Sequence, residues 1–357
     1  MLCSARLWLA SGRSFPLTPV AGWLPQPPYP LDVVLFGAAL VSLAGIALWR
    51  RPAPFLKIFL ALLAVLAALD QSRWQPWMLE YAVMFGALLA LPAGPRAPDA
   101  CRLLLICTYF YAGLQKLNYG FPTVLAAMLR PMFDRFGLDS AWLAAGTLAP
   151  AALLLAAVEG LSGLGLGFRR TRAAAQVCLI LMHLSLLVWL GPLALNWNYT
   201  VWPWNLASIA LLVLLFRDPV PDLRAIWRSH AYAKALAVAF GVLPLLTFAG
   251  LSDSYFGFAL YSGNVKEGML YLDPQLIPAL PPAVRPFVKP DGVLDIDRWS
   301  VSELGVPVYP ETRIFQSVGR RVALWLPSGA RVRVVELSRP NPFSGQRQAR
   351  NFDPLTY

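Results

Sequence analysis

Apolar residues gather in long stretches along the chain, with little alternation and no narrow helical stripe. Runs near 31–49, 54–69, 76–92, 101–118, 141–166, 173–191, 203–216 and 233–251 approach the ~20 residues a helix needs to cross a bilayer. The second and seventh are short, which a helix with snorkelling ends tolerates. The pattern predicts an all-α polytopic membrane helix bundle of about eight spans over 31–251. Residues 1–30 hold only a brief apolar patch, Leu7 to Ala10, followed by several prolines. That is too short for a span or a clear signal peptide, so 1–30 reads as a separate N-terminal segment. After Leu251 the apolar runs break up. "RRVALWLPSGARVRVVEL" alternates on both sides of Pro327, Ser328 and Gly329 and predicts a β-hairpin. "SVSELGVPVYPETRIFQSVGRRV" predicts a short helix, a Pro-rich turn and a second helix from near Glu311. Residues 252–357 are therefore expected to form a small α+β domain.

Composition sharpens this reading. Of 357 residues 57% are hydrophobic and 14% charged, against roughly 25% charged in soluble chains, so an ordinary soluble enzyme is excluded. The net charge of +11 would point to nucleic acid in a soluble chain. Here the basic residues sit between apolar runs, where they meet phospholipid headgroups, and no nucleic-acid partner is expected. Arg50, Arg51 and Lys57 join the first two runs, Arg96 and Arg102 the third and fourth, Arg169, Arg170 and Arg172 the fifth and sixth, and Arg217, Arg224, Arg228 and Lys234 the last two. Every second loop is basic, which places those loops in the cytoplasm and residues 252–357 outside. The N-terminus then also lies outside, with Arg6 and Arg13 arguing against it. Four cysteines without a CxxC pair and only two histidines, His183 and His230, give no metal site.

Ionisable residues within or beside apolar runs carry the candidate chemistry, because a charge in hydrocarbon is costly unless paired or hydrated. Asp70, Arg73, Lys116, Glu159 and His183 stand out. Counted from the basic loop, Glu159 and His183 lie at nearly equal depth, roughly 15–17 Å above the inner face. They are expected to be a buried polar pair, either packing glue or a proton-handling couple. Lys116 lies higher, toward the outer side, where a lysine either snorkels to headgroups or, held in an apolar site, acts as a base. Asp70 opens an outer loop and is expected to pair with it. Trp74, Trp77, Trp197, Trp202 and Trp204, with Asn196, Asn198 and Asn205, crowd the outer loops. They read as interfacial anchors or as the lining of an amphipathic pocket.

Two segments carry a family resemblance. "LDQSRWQPWMLEY" and, about 30 residues on, "YFYAGLQKLNYGF" resemble the vitamin K-dependent gamma-carboxylase family and its bacterial relatives, the horizontally transferred transmembrane (HTTM) domain proteins. Leu69, Asp70, Ser72, Trp74 and Tyr81 fall on family-like positions in the first segment. Tyr109, Phe110, Ala112, Gly113, Lys116 and Leu117 do so in the second, and Glu159 and the "MHL" around His183 are also family-like. The resemblance spans about 30–216, and the short "GxxKL" element is shared with DoxX-type membrane proteins. It implies a bacterial cytoplasmic-membrane protein in which Lys116 takes the place of the base that deprotonates a reduced quinone, on the outer side. In the carboxylases a neighbouring histidine assists, and at the matching place this chain has Trp77, whose indole takes no proton. The tail is also too short for the large carboxylase domain that grips protein substrates. Gamma-carboxylation of protein glutamate is not expected.

The leading expectation is a protein that binds or transforms a quinone or other lipid-soluble molecule at an outer-leaflet site. Lys116 and Asp70 would be its catalytic pair, with Trp74, Trp77, Tyr109, Asn196, Asn198 and Trp202 around the substrate. The quinone-like lipid is the one cofactor considered, and the bilayer is the partner in any case. The alternatives are a non-catalytic membrane module whose outer domain docks a partner protein and, third, a transporter.

Overall fold

A computed structural model of the chain describes residues 1–91, 96–217 and 230–355. It is mostly helical. The helices are α1 (Ala5–Trp8), α2 (Leu31–Leu48), α3 (Ala53–Leu69), α4 (Pro76–Ala90), α5 (Arg96–Lys116) and α6 (Phe121–Arg135). They continue as α7 (Ala145–Gly165), α8 (Arg172–Leu190), α9 (Trp202–Leu215), α10 (Ala231–Gly241), α11 (Ile296–Leu304) and α12 (Thr312–Ala323). Strands β1 (Glu267–Leu272), β2 (Val293–Leu294), β3 (Val332–Leu337) and β4 (Ala349–Phe352) form one antiparallel sheet in the order β2-β1-β3-β4.

Each apolar run of the sequence overlaps one of the helices α2–α5 and α7–α10. Among the described residues three helices are long and apolar enough to cross a membrane: Leu31–Leu48, Gly146–Gly165 and Arg172–Leu190. Shorter apolar helices cover Ala53–Leu69, Pro76–Ala90, Tyr199–Leu215 and Ala231–Thr247. The helix α5 is longer than its apolar run because it begins at Arg96, with Pro98 in its first turn, where a missing N–H costs nothing. Arg102, expected in a loop, is thereby inside the helix and donates to Asp99 at 2.6 Å. The helix α6 was not expected, since no long apolar run marks it. Arg224 and Arg228 lie outside the described residues.

The chain divides into two compact units, and the division differs from the expected one. The first unit joins Met1–Gln75 to Lys266–Arg339 and Arg347–Tyr357. Residues 1–30 are not a separate segment there. The rings of Phe15 and Trp299 meet edge-on at 4.8 Å, and Glu303 on α11 accepts the Ser14 and Phe15 amides at 2.7 Å each. The Ala10 and Ser11 amides cap Asp32 at the start of α2. After α3 returns, Gln71 accepts from Arg313 on α12 at 2.6 Å. The N-terminus, residues 70–75 and the tail thus occupy one end of the α2–α3 hairpin, with Arg50 and Arg51 at the other. In the tail, Ile314, Phe315, Val318 and Val322 form the buried face of α12, which packs on β1 and β3. This corrects the expected β-hairpin. Residues 320–323 end that helix, and β3 pairs with β1 and β4 instead. The alternation of Val322, Leu324 and Leu326 fits a strand, but the 3.6-residue period running back to Ile314 buries more.

The second unit is Pro76–Val265 with Pro340–Gln346. At its centre α5 lies against α7 so closely that a Cβ at Gly113 would land on the backbone of Ala156 and Gly160. One at Gly163 would come within 2.6 Å of the Phe110 amide nitrogen. Small residues at the crossing let the two backbones touch, the usual means of packing apolar helices without a hydrophobic drive. Leu104, Leu105, Leu179 and Leu212, all buried, tie α5 to α8 and α9.

Candidate functional site

The close α5–α7 contact fixes the chemistry of the second unit. Lys116, the last residue of α5, reaches Glu159 on α7 and donates to both carboxylate oxygens, at 2.9 and 2.8 Å. Their side chains are only 13% and 11% exposed, so each is the other's main compensation. Two of the three ammonium protons are used in this way, and one remains.

The ion pair lines a cavity of about 310 Å³. Phe121, Leu125 and Met128 of α6, Leu155 and Val158 of α7, and Met182, Leu186 and Trp189 of α8 supply its apolar walls. Tyr261 joins the pair at the polar end. A smaller pocket of about 60 Å³ shares Lys116, Glu159, Met182, Leu186 and Tyr261 with it and adds Glu80, Thr108, Tyr109, His183, Trp204, Asn205 and Ser208. A lipid-sized apolar cavity ending on a charge pair is suited to an amphipathic molecule with a compact polar head.

His183 is placed differently from expectation. It does not bond to Glu159, and the expected buried pair is replaced by two separate pairings. Asn205 donates its amide to the Val201 carbonyl at 2.8 Å, which turns its Oδ1 toward His183 Nδ1 at 2.7 Å. Nδ1 therefore carries the proton, and Nε2 accepts from the Tyr109 hydroxyl at 2.7 Å. Both ring nitrogens are spent. Equal depth brought Glu159 and His183 to one pocket, but a cation close to Glu159 is a stronger partner than a neutral imidazole.

Asp70 is likewise not the partner of Lys116. It belongs to the first unit, fully buried, with Arg13 at 2.5 Å and Arg73 at 3.9 Å. It also accepts from the Thr18 hydroxyl and the Ser72 amide. Burial alone would raise its carboxyl, but the two guanidinium groups and these bonds outweigh it and hold it below the usual range. Arg73 donates to the carbonyls of Leu7, Leu66 and Trp8, so this cluster clamps the N-terminal segment to the end of α3.

Of the expected lining residues, only Tyr109 reaches the cavities. Trp74 belongs to the first unit, where its indole donates to Ala67 and its ring meets Tyr309 edge-on. Trp77 is buried on α4 but lines neither cavity. Asn196 is exposed; Asn198, in the left-handed region at φ 47°, is buried, accepts from Thr200 and donates to Tyr261. Trp202 donates to Leu190 and Trp197 and closes its own loop. These side chains serve the turns that carry them, because a loop must satisfy its own backbone before it can face a ligand. Glu80 was missed, although it too is an ionisable residue in an apolar run. Among the described residues no cluster of three or more His, Cys, Asp or Glu side chains is arranged to hold a metal ion. No family model, curated protein or solved structure matches the chain.

Proposed function

We propose that the chain is an integral membrane protein, akin to the HTTM and gamma-carboxylase-like proteins it resembles. Its helical bundle holds a quinone-like or other lipid-soluble molecule in the cavity that ends on Lys116 and Glu159. The observation that carries this reading is the joining of a lipid-sized apolar cavity to a nearly buried ion pair with one ammonium proton unspent. The polar head would lie at Lys116 and the tail among Leu125, Met128, Leu155 and Leu186. The membrane is taken to be the bacterial cytoplasmic one, with the first unit's tail domain outside. Lys116 then lies toward the outer leaflet, at the far end of a helix that begins at the basic residue Arg96. Arg13, whose charge opposed an outside N-terminus, is neutralised by Asp70.

One observation favours the second reading, a non-catalytic module whose outer domain docks a partner protein. Lys116 already has a protein partner, as a packing residue would.

The test is mass spectrometry of solvent extracts from the purified full chain. The cavity reading expects a small lipid-soluble molecule beyond bulk phospholipid, reduced at least about tenfold by Lys116→Met combined with Glu159→Gln. That pair of changes removes both charges together and leaves neither buried alone. No such molecule in wild type, or the same amount in the double variant, returns the ion pair to packing.

A further inference from the structure

The smaller pocket contains a group that neither packing nor the ion pair accounts for. Glu80, on α4, is 1% exposed, and its Oε1 has no hydrogen-bond partner among the described residues. Thr108 is committed to Leu104, Tyr109 to His183 and Asn205 to Val201, which leaves the Trp204 indole as the neighbouring donor turned to the Glu80 carboxyl, too few to satisfy both its oxygens. The pocket of about 60 Å³ that this carboxyl oxygen shares with Thr108, His183, Asn205 and Ser208 has room for about two waters, and water is what satisfies such a group. The pocket's other end is the Lys116–Glu159 pair.

We propose that this pocket is a hydrated proton store in which Glu80 exchanges one proton with the head group site at Lys116. It rests on the reading of the larger cavity as a ligand site and adds a residue to it. Three charged groups meet here, one cationic and two carboxylic, so with Glu80 ionised the cluster has one net negative charge. Glu159 has its cation; Glu80 has none in hydrogen-bonding reach, so the balancing proton is held on Glu80. In the exchange the O–H bond of Glu80 breaks, its electron pair stays on oxygen, and the proton passes along water to a negatively charged oxygen of a ligand head group held by the Lys116 ammonium, where an O–H bond forms. Carboxylic acid and ligand oxyanion become carboxylate and ligand hydroxyl, with the total charge unchanged, and Lys116 keeps its N–H bonds throughout. The titratable groups around Glu80 are Tyr81 of α4, Cys101, Tyr109 and Lys116 of α5, Glu159 of α7, His183 of α8 and Tyr261.

Infrared spectroscopy of the full chain in lipid nanodiscs reads this without any ligand. A carboxyl band assigned to Glu80 by its loss in Glu80→Gln is expected to shift within minutes of transfer to D2O, and Lys116→Met is expected to move its frequency. Should the Gln variant not fold, Glu80→Asp displaces the band and makes the assignment. A band that does not shift in D2O over hours shows a dry carboxyl and overturns the proposal, as does one indifferent to Lys116→Met. Both readings are made on ligand-free protein. A failure to extract a lipid-soluble molecule would therefore remove the ligand reading alone, while a dry Glu80 would remove only the store.

Discussion

At the scale of single residues, charges in this chain are settled by the nearest opposite charge. Lys116 takes Glu159, and Asp70 takes Arg13 and Arg73. The importance of Lys116, Asp70, Glu159 and His183 was legible in the sequence, because an ionisable residue next to an apolar run is conspicuous in any reading. Their partners were not, and Glu80 was passed over although the same rule would have selected it. The tail domain offers a test of burial alone. Asp297 on α11 accepts the Val308 amide at 3.0 Å, and desolvation, with Asp295 and Glu267 adding to it, pushes its carboxyl up to about 6. A carboxyl raised on folding favours the folded state only while protonated. Stability from this group is therefore full below about pH 4, falls as pH rises to about 6 and stays lost above. Asp297→Asn keeps the acceptor oxygen and removes the charge. Thermal unfolding at pH 7 should show the variant more stable by about 1–3 kcal/mol, with the gain absent at pH 4. Equal stabilisation at both pH values would show that ionisation is not the cause.

At the scale of elements, the long apolar runs marked the helices because length and composition are local properties. The boundaries and the weaker elements were harder. The run that became α5 gained its first turn from Arg96 to Ala100, where Asp99 and Arg102 pair within the helix. The stretch read as a hairpin became the end of α12, since both periods were present and only packing on β1 and β3 selects one. The crossing of α5 and α7 is the element contact on which the site depends, because it sets Lys116 against Glu159. Gly113→Leu would place a side chain where the Gly160 backbone already lies. Overpacking of this kind costs about 1–3 kcal/mol or more, and the helices can relieve it only by separating. The expected result is a lower unfolding temperature and loss of the extractable lipid-soluble molecule, whereas Gly146→Leu, in open space on α7, should change neither. A Gly113→Leu protein as stable as wild type would mean that the two helices do not meet as closely as described.

At the scale of the whole molecule, the decisive finding is that residues 1–20, residues 70–75 and the tail belong to one folded unit. A membrane-embedded chain built in this way has its N-terminus and its C-terminal domain on the same side. Cys3 gives a native reporter, being exposed near the N-terminus; Cys101 and Cys107 are buried, and Cys178, also exposed, lies within the apolar helix α8. A membrane-impermeant maleimide added to intact cells or spheroplasts should label Cys3, as judged by loss of labelling in Cys3→Ser. Labelling of Cys3 only after the membrane is permeabilised would reverse the topology. The sequence by itself determined the helical runs, the change of character after Leu251, the alternation of basic loops and the residues whose charge is out of place. All of these follow from composition within a window of about 20 residues, the thickness of hydrocarbon measured in helix. Only the tertiary structure decided that Lys116 meets Glu159, that Asp70 turns to Arg13, that His183 is satisfied by Tyr109 and Asn205, and that the first residues are built into the tail domain. The physical reason is geometric. A helical side chain turns by about 100° with each residue, so its partner depends on helix rotation and on which helices are neighbours. Neither is written in the composition of any one run.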